Sequence, residues 1–205
     1  TFSPDSAVFI TRYKDLSIHI RDIRTGAPIG DRYGSEAPLH TGISRIVYEN
    51  ASRFLITHHR DYTVQFRDPH TGAPIGARLG GNDPENRIWN MALSPDGQTL
   101  ALLYKRYQIQ MLDTVSREPI GHRIGDDTVG NMVHTLLYSP DGSYFATLQK
   151  DGSLQFRDPR TGSPIGERIG DIADEASQVA NILFSPDPEL AVLRYRNQTM
   201  QFIHL

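Results

Sequence analysis

A hexapeptide frame returns along this chain at a nearly fixed interval. It reads Thr-Gly-Ala-Pro-Ile-Gly at residues 25–30 and 71–76, Thr-Gly-Ser-Pro-Ile-Gly at 161–166, and a degenerate Ser-Arg-Glu-Pro-Ile-Gly at 116–121. The prolines Pro28, Pro74, Pro119 and Pro164 lie 46, 45 and 45 residues apart, and an Asp (Asp22, Asp68, Asp113, Asp158) precedes each frame at the same offset. A period of this size signals one supersecondary unit, repeated and stacked. It fills all 205 residues and so overrides the one or two domains that length alone suggests. Equivalent loops presented side by side favour binding over catalysis.

Each unit reads as four short antiparallel strands, here called a to d. In the third unit, the apolar-rich run 88–93 is closed by Ser94-Pro95-Asp96-Gly97, a turn in which Pro presets φ and Gly supplies a positive φ. Residues 99–104 follow as a nearly continuous apolar strand, the pattern of a strand buried on both faces. After a polar corner at Lys105-Arg106, Gln108-Ile109-Gln110-Met111 alternates with period two. Asp113, a turn and a last strand from Pro119 complete the unit. The same order predicts strands near residues 7–13, 16–22, 43–48, 53–59, 62–67, 87–93, 98–104, 107–112, 132–138, 143–149, 153–157, 179–184, 190–195 and 198–203, with a short d strand after each Pro-Ile-Gly. No segment holds a helical period over three turns. The expected class is all-β, with units at about 1–48, 49–93, 94–138, 139–184 and a partial 185–205.

These units resemble WD repeats over essentially the whole chain. The matching residues are the Ser-Pro-Asp turns beginning at Ser3, Ser94, Ser139 and Ser185, the Asp that opens strand c (Asp15, Asp61, Asp151), and the Asp-x-x-Thr-Gly turn that leaves it. The Pro-Ile-Gly opening of strand d is most similar to WD arrays attached to NACHT-type signalling ATPases of fungi and bacteria. The resemblance implies a β-propeller of four-stranded blades. It also implies a non-enzymatic interaction or sensor module within a larger protein, carrying no cofactor. The family's Trp-Asp ending of strand c is here Arg21-Asp22, Arg67-Asp68, Leu112-Asp113 and Arg157-Asp158, and the Gly-His before strand a is absent. The family's buried His–Trp–Asp network therefore has no counterpart, and Arg67 and Arg157 are expected to pair with a carboxylate or backbone carbonyls instead. A seven-blade ring needs roughly 315 residues at about 45 per blade. The chain is accordingly expected to be a segment of a larger ring, with blade edges left for another chain or segment to cover.

Composition narrows the function classes. Lys and Arg number 21 against 24 Asp and Glu, giving a net charge of −3 and no bias toward nucleic acid or membrane surfaces. There is no Cys, so disulfides and thiolate chemistry are excluded, and a cytoplasmic setting is expected. No apolar run is long enough to span a membrane as a helix. His-x-x-x-His and His-Glu-x-x-His spacings, nucleophile elbows and phosphate-cradling Gly loops are missing, so no metal or catalytic residue is assigned. Among the eight histidines, the adjacent His58 and His59 would point to opposite strand faces. Trp89, the only Trp, falls on a strand a and reads as core.

One in-phase pattern is not demanded by blade folding. Lys14, Arg60, Lys105, Lys150 and Arg196 recur at the b–c corner, 46, 45, 45 and 46 residues apart. On successive blades they would form a basic collar, suited to an acidic or phosphorylated protein or peptide partner. The competing reading is a solvated turn neutralised by Asp15, Asp61 and Asp151 and by loop acids Asp83, Glu85, Asp126, Asp127, Asp171, Asp174 and Glu175. The alternative function is a TolB-like or hydrolase-associated propeller gating an active site. It would need unrepeated polar residues converging from strands a, where only Asn90, His134 and Asn181 stand out.

Overall fold

In a computed structural model, described for all residues except 35–41, 126, 127, 129, 130, 171–173, 187 and 188, the chain is all-β. Among the described residues, the only helical element is the 3₁₀ turn Glu175–Ser177. Five antiparallel sheets follow one another along the sequence. The first holds β1 (Val8–Arg12), β2 (Ile18–Asp22) and β3 (Pro28–Tyr33), and the second β4 (Ile43–Tyr48), β5 (Leu55–His59), β6 (Thr63–Arg67) and β7 (Pro74–Gly80). The third holds β8 (Ile88–Leu93), β9 (Thr99–Tyr104), β10 (Ile109–Asp113) and β11 (Pro119–Ile124). The fourth holds β12 (Val133–Tyr138), β13 (Phe145–Gln149), β14 (Leu154–Arg157) and β15 (Pro164–Ile169). The fifth has β16 (Val179–Phe184), β17 (Leu190–Tyr195) and β18 (Met200–His204). Three sheets of four strands in a-b-c-d order are compatible with propeller blades.

The chain divides into two compact units, residues 1–88 and 89–205. In the first, Val8, Ile10, Ile18 and Ile20 pack with Ile43 and Leu55, joining the first two sheets face to face. In the second, Ile109 and Met111 pack with Val133, Leu136 and Phe145, and Leu154 and Phe156 pack with Val179, Ile182 and Leu193. In the second, third and fourth sheets strands b and c are buried on both faces, whereas strands d are largely exposed. The continuous apolar runs of strand b are the sequence image of that burial.

The Arg residues that stand where the resemblance expects Trp close a different network. Arg67 Nε donates to Thr57 Oγ1 at 3.2 Å and its Nη1 to the Gly72 carbonyl at 2.9 Å. Arg157 repeats this with Thr147 at 3.1 Å and Gly162 at 3.0 Å, and Arg21 with Thr11 at 3.4 Å and Gly26 at 2.9 Å. The expected pairing is thus with backbone carbonyls of the same sheet. In the third sheet all three positions differ together: Leu102 replaces the Thr, Leu112 the Arg and Arg117 the Gly. An apolar pair leaves no buried donor that needs the turn carbonyl, so the network is kept whole or dropped whole. Among the described residues, every buried side-chain nitrogen and oxygen has a partner.

Candidate binding site

Three of the b–c corner turns are fixed by groups other than their basic side chains. At the b–c corners Asp15, Asp61 and Asp151 accept hydrogen bonds from the amide and hydroxyl of Ser17, Thr63 and Ser153 at 2.6–3.2 Å. The backbone amides of Arg60, Lys150 and Arg196 donate to the carbonyls of Gly42, Met132 and Gln178 at 2.8–2.9 Å, tying each corner to the loop before strand a. At these three corners the fold uses the amide and does not require the basic side chain. Lys14, Arg60, Lys105, Lys150 and Arg196 are all exposed.

Their electrostatic surroundings differ between the units. In residues 1–88, Asp15 is met by Arg32 at 2.8 Å and Asp61 by Arg78 at 3.4 Å, so strand-d arginines neutralise the corner acids. In residues 89–205 the corner of the third sheet carries Lys105 and Arg106 and no acid. Arg196 shares a shallow depression with Glu175 and Asn197. Of the loop acids named above, Asp126, Asp127 and Asp171 lie outside the described residues, as does His40.

Lys105 and Lys150 come together at one cleft of about 150 Å³, lined also by Trp89, Leu103, Tyr104, Tyr107, Val133 and His134. Lys150 Nζ sits 4.1 Å from the Tyr107 ring centroid and donates to its hydroxyl, a cation–π arrangement that stations the ammonium over the cleft wall. The Arg123 guanidinium lies 3.9 Å from the Tyr104 ring centroid. Tyr107 has φ +62°, a conformation unfavourable for a bulky residue, although Gly152 occupies the equivalent corner of the next sheet. Burial holds the His134 imidazole below its usual range, and the charges of Lys150 and Arg196 add to that effect. The ring hydrogen-bonds with the Thr135 hydroxyl at 2.8 Å.

Trp89 corrects the core assignment made from sequence: it is 56% exposed. Strands a of the second, fourth and fifth sheets bulge at their second residue, where Ser44, His134 and Ala180 stand, and Trp89 is the residue in phase with them. A bulge re-aims the side chain it carries. Trp89 lines the cleft with Lys105 and Lys150 instead of entering the core. The sequence signal that could have found it is the register Ile88-Trp89, Val133-His134, which puts Trp89 and His134 at one repeat position. Among the described residues, no group of three or more His, Asp and Glu side chains is arranged to hold a metal ion. None of the described helices is long and apolar enough to cross a membrane. No protein-family profile matches this sequence, and no curated protein matches it.

Proposed function

We propose that this chain is a non-enzymatic binding module of the WD-repeat propeller kind, and that its 89–205 unit holds an acidic or phosphorylated segment of a protein partner. The observation that carries the reading is the cleft lined together by the exposed Trp89, Tyr107, Lys105 and Lys150, with the Lys150 ammonium over the Tyr107 ring. An aromatic wall beside two cations offers one anionic group a charge-assisted contact and its neighbour a flat apolar face. The Pro-Ile-Gly units support a setting like that of the WD arrays on NACHT-type signalling ATPases, where engagement of a partner would be a sensing step in the cytoplasm.

Trp89 is the only Trp, so its fluorescence reports on this cleft alone. Titrating the full chain with an array of Glu-rich and phosphoserine peptides should give saturable changes in Trp89 emission for at least one class. Lys150→Glu should weaken that binding about tenfold or more. Absence of any saturable change across the array, or an unaltered affinity in Lys150→Glu, would overturn the reading.

A further inference from the structure

Two strands b earlier in the chain each send a side chain to the first carbonyl of the following strand a. From β1, Arg12 Nη2 donates to the Ile43 carbonyl at 2.7 Å. From β5, His58 Nε2 donates to the Ile88 carbonyl at 2.9 Å, and the Ser44 hydroxyl lies 3.2 Å from its Nδ1. A carbonyl only accepts, so His58 Nε2 carries the proton. Arg12, His58 and Leu103 hold one position in the repeat, opposite Ile18, Val64 and Ile109 of strand c. The third sheet breaks the pattern at both members: Leu103 stands for His58, and Trp89 for Ser44. Both line the cleft, together with Val133, the residue in phase with Ile43 and Ile88.

The change leaves an acceptor at the floor of the cleft. Val133 pairs with Gln149, and the adjoining Lys150 amide donates to the Met132 carbonyl at 2.8 Å. The Val133–Gln149 pair is therefore of the non-hydrogen-bonded kind, and the Val133 carbonyl points away from β13. Ile43 has the same register, with His59 opposite and the Arg60 amide on the Gly42 carbonyl. Leu103 donates nothing, and Val133 is 1% exposed. A buried carbonyl whose side-chain donor has been replaced is a ready acceptor for a ligand N–H. Leu148 repeats the change in the fourth sheet, but there Gln178 packs over the corner, so close that a Cβ on Gly152 would lie 2.5 Å from its own.

We infer that the floor of this cleft takes a neutral imidazole from the partner, its N–H on the Val133 carbonyl, so that the bound segment carries a His beside its acidic or phosphorylated residue. This rests on reading the cleft as a peptide site. The His58 imidazole supplies the precedent within the molecule, and a volume of about 150 Å³ has room for one such ring. A flat ring also suits a floor reached between Trp89, Tyr104 and Tyr107. A guanidinium, the donor that Arg12 uses, is repelled by Lys105 and Lys150, which instead meet the neighbouring anion. An aliphatic side chain brings no donor.

The test uses the full chain, Trp89 emission, and Glu-rich peptides that differ at one central position, at about pH 8, where a free imidazole is neutral. That position carries His, τ-methylhistidine, Leu or Arg; the methyl group removes the Nε2 donor and keeps the ring. The His peptide should bind several-fold more tightly than the other three. It alone should shift the Val133 carbonyl ¹³C resonance. Leu103→His, which rebuilds the β5 arrangement, should weaken the His peptide about tenfold or more while circular dichroism reports a folded chain. Should that variant not fold, the peptide series and the Val133 resonance decide alone. Equal affinity for the His and τ-methylhistidine peptides would overturn the inference, as would an unmoved Val133 resonance at saturation or a folded Leu103→His that binds like the parent. Failure of all four peptides to bind would overturn the reading of the cleft itself, and the inference with it.

Discussion

At the residue scale, the Thr–Arg–Gly network replaces a bulky aromatic anchor with a buried guanidinium. Arg157 is 6% exposed, and burial pulls its pKa below the ordinary value, so its hydrogen bonds offset a real desolvation penalty. Arg157→Leu removes the donors but keeps a chain of apolar bulk, leaving Thr147 and the Gly162 carbonyl without them; a loss of about 1–3 kcal/mol is expected. Adding Thr147→Val should return part of that loss, with a coupling of at least about 0.5 kcal/mol in a double-mutant cycle by urea unfolding. Additive losses would show that the two side chains do not act together. The in-phase recurrence of Arg made its pairing legible in the sequence. Its Thr partner was not legible, because ten residues separate Thr147 from Arg157 and only the hairpin register brings them side by side. Trp89 was misread for a related reason: a strand of mostly apolar residues gives no alternation to decide which face a side chain takes.

At the scale of the element, the strands and corners were readable because each turn announces itself chemically. Four Asp-x-x-Thr/Ser turns repeat one geometry, with Asp22, Asp68, Asp113 and Asp158 each accepting from the amides two and three residues on and from the Thr or Ser hydroxyl. For Asp158 the Thr161 amide is the main cause of a carboxyl pKa below its ordinary value; burial opposes this, and the Thr161 hydroxyl and Arg160 amide reinforce it. A depressed folded value means the stabilisation is fully present above the unfolded carboxylate range and is lost as pH falls through the folded value. Asp158→Asn should therefore be less stable than the parent at pH 6, with the difference shrinking as pH falls below about 3.9. A pH-independent difference, measured by thermal unfolding from pH 6 to 2, would count against this account.

Glycine makes a second element-scale distinction. Gly26 and Gly80 both have positive φ, but a Cβ at Gly26 meets nothing within 4 Å, whereas one at Gly80 lies 2.5 Å from the Tyr62 carbonyl oxygen. Gly26→Ala should cost about 1–2 kcal/mol of backbone strain alone. Gly80→Ala should cost a further 1–3 kcal/mol or so, because backbone must shift to admit the methyl. Equal losses in urea unfolding would show that the strand-d end at Gly80 yields freely.

At the scale of the whole molecule, 24 acidic side chains outnumber 21 basic ones, yet the basic corner recurs in every repeat. Within residues 89–205, Lys105 and Lys150 line one cleft, and Lys150 and Arg196 both act on His134, so three repeats contribute to one local field. At physiological salt that field decays over about 8 Å, so only a charge seated at the cleft feels it fully. Reversing Lys105, Lys150 and Arg196 together to Glu changes the net charge from −3 to −9 and inverts the sign at the site. Each residue is exposed, and the corners of Lys150 and Arg196 are held by their amides, so the fold should survive, which circular dichroism checks. For a Glu-rich peptide, the parent's affinity should fall as salt rises from 50 to 500 mM, chiefly through slower association. The reversed variant should bind at least about tenfold more weakly at low salt and gain, or stay level, as salt rises. An unchanged affinity with the parent's salt dependence intact would leave the basic corner as an ordinary solvated turn, and the aromatic wall of the cleft would need another explanation.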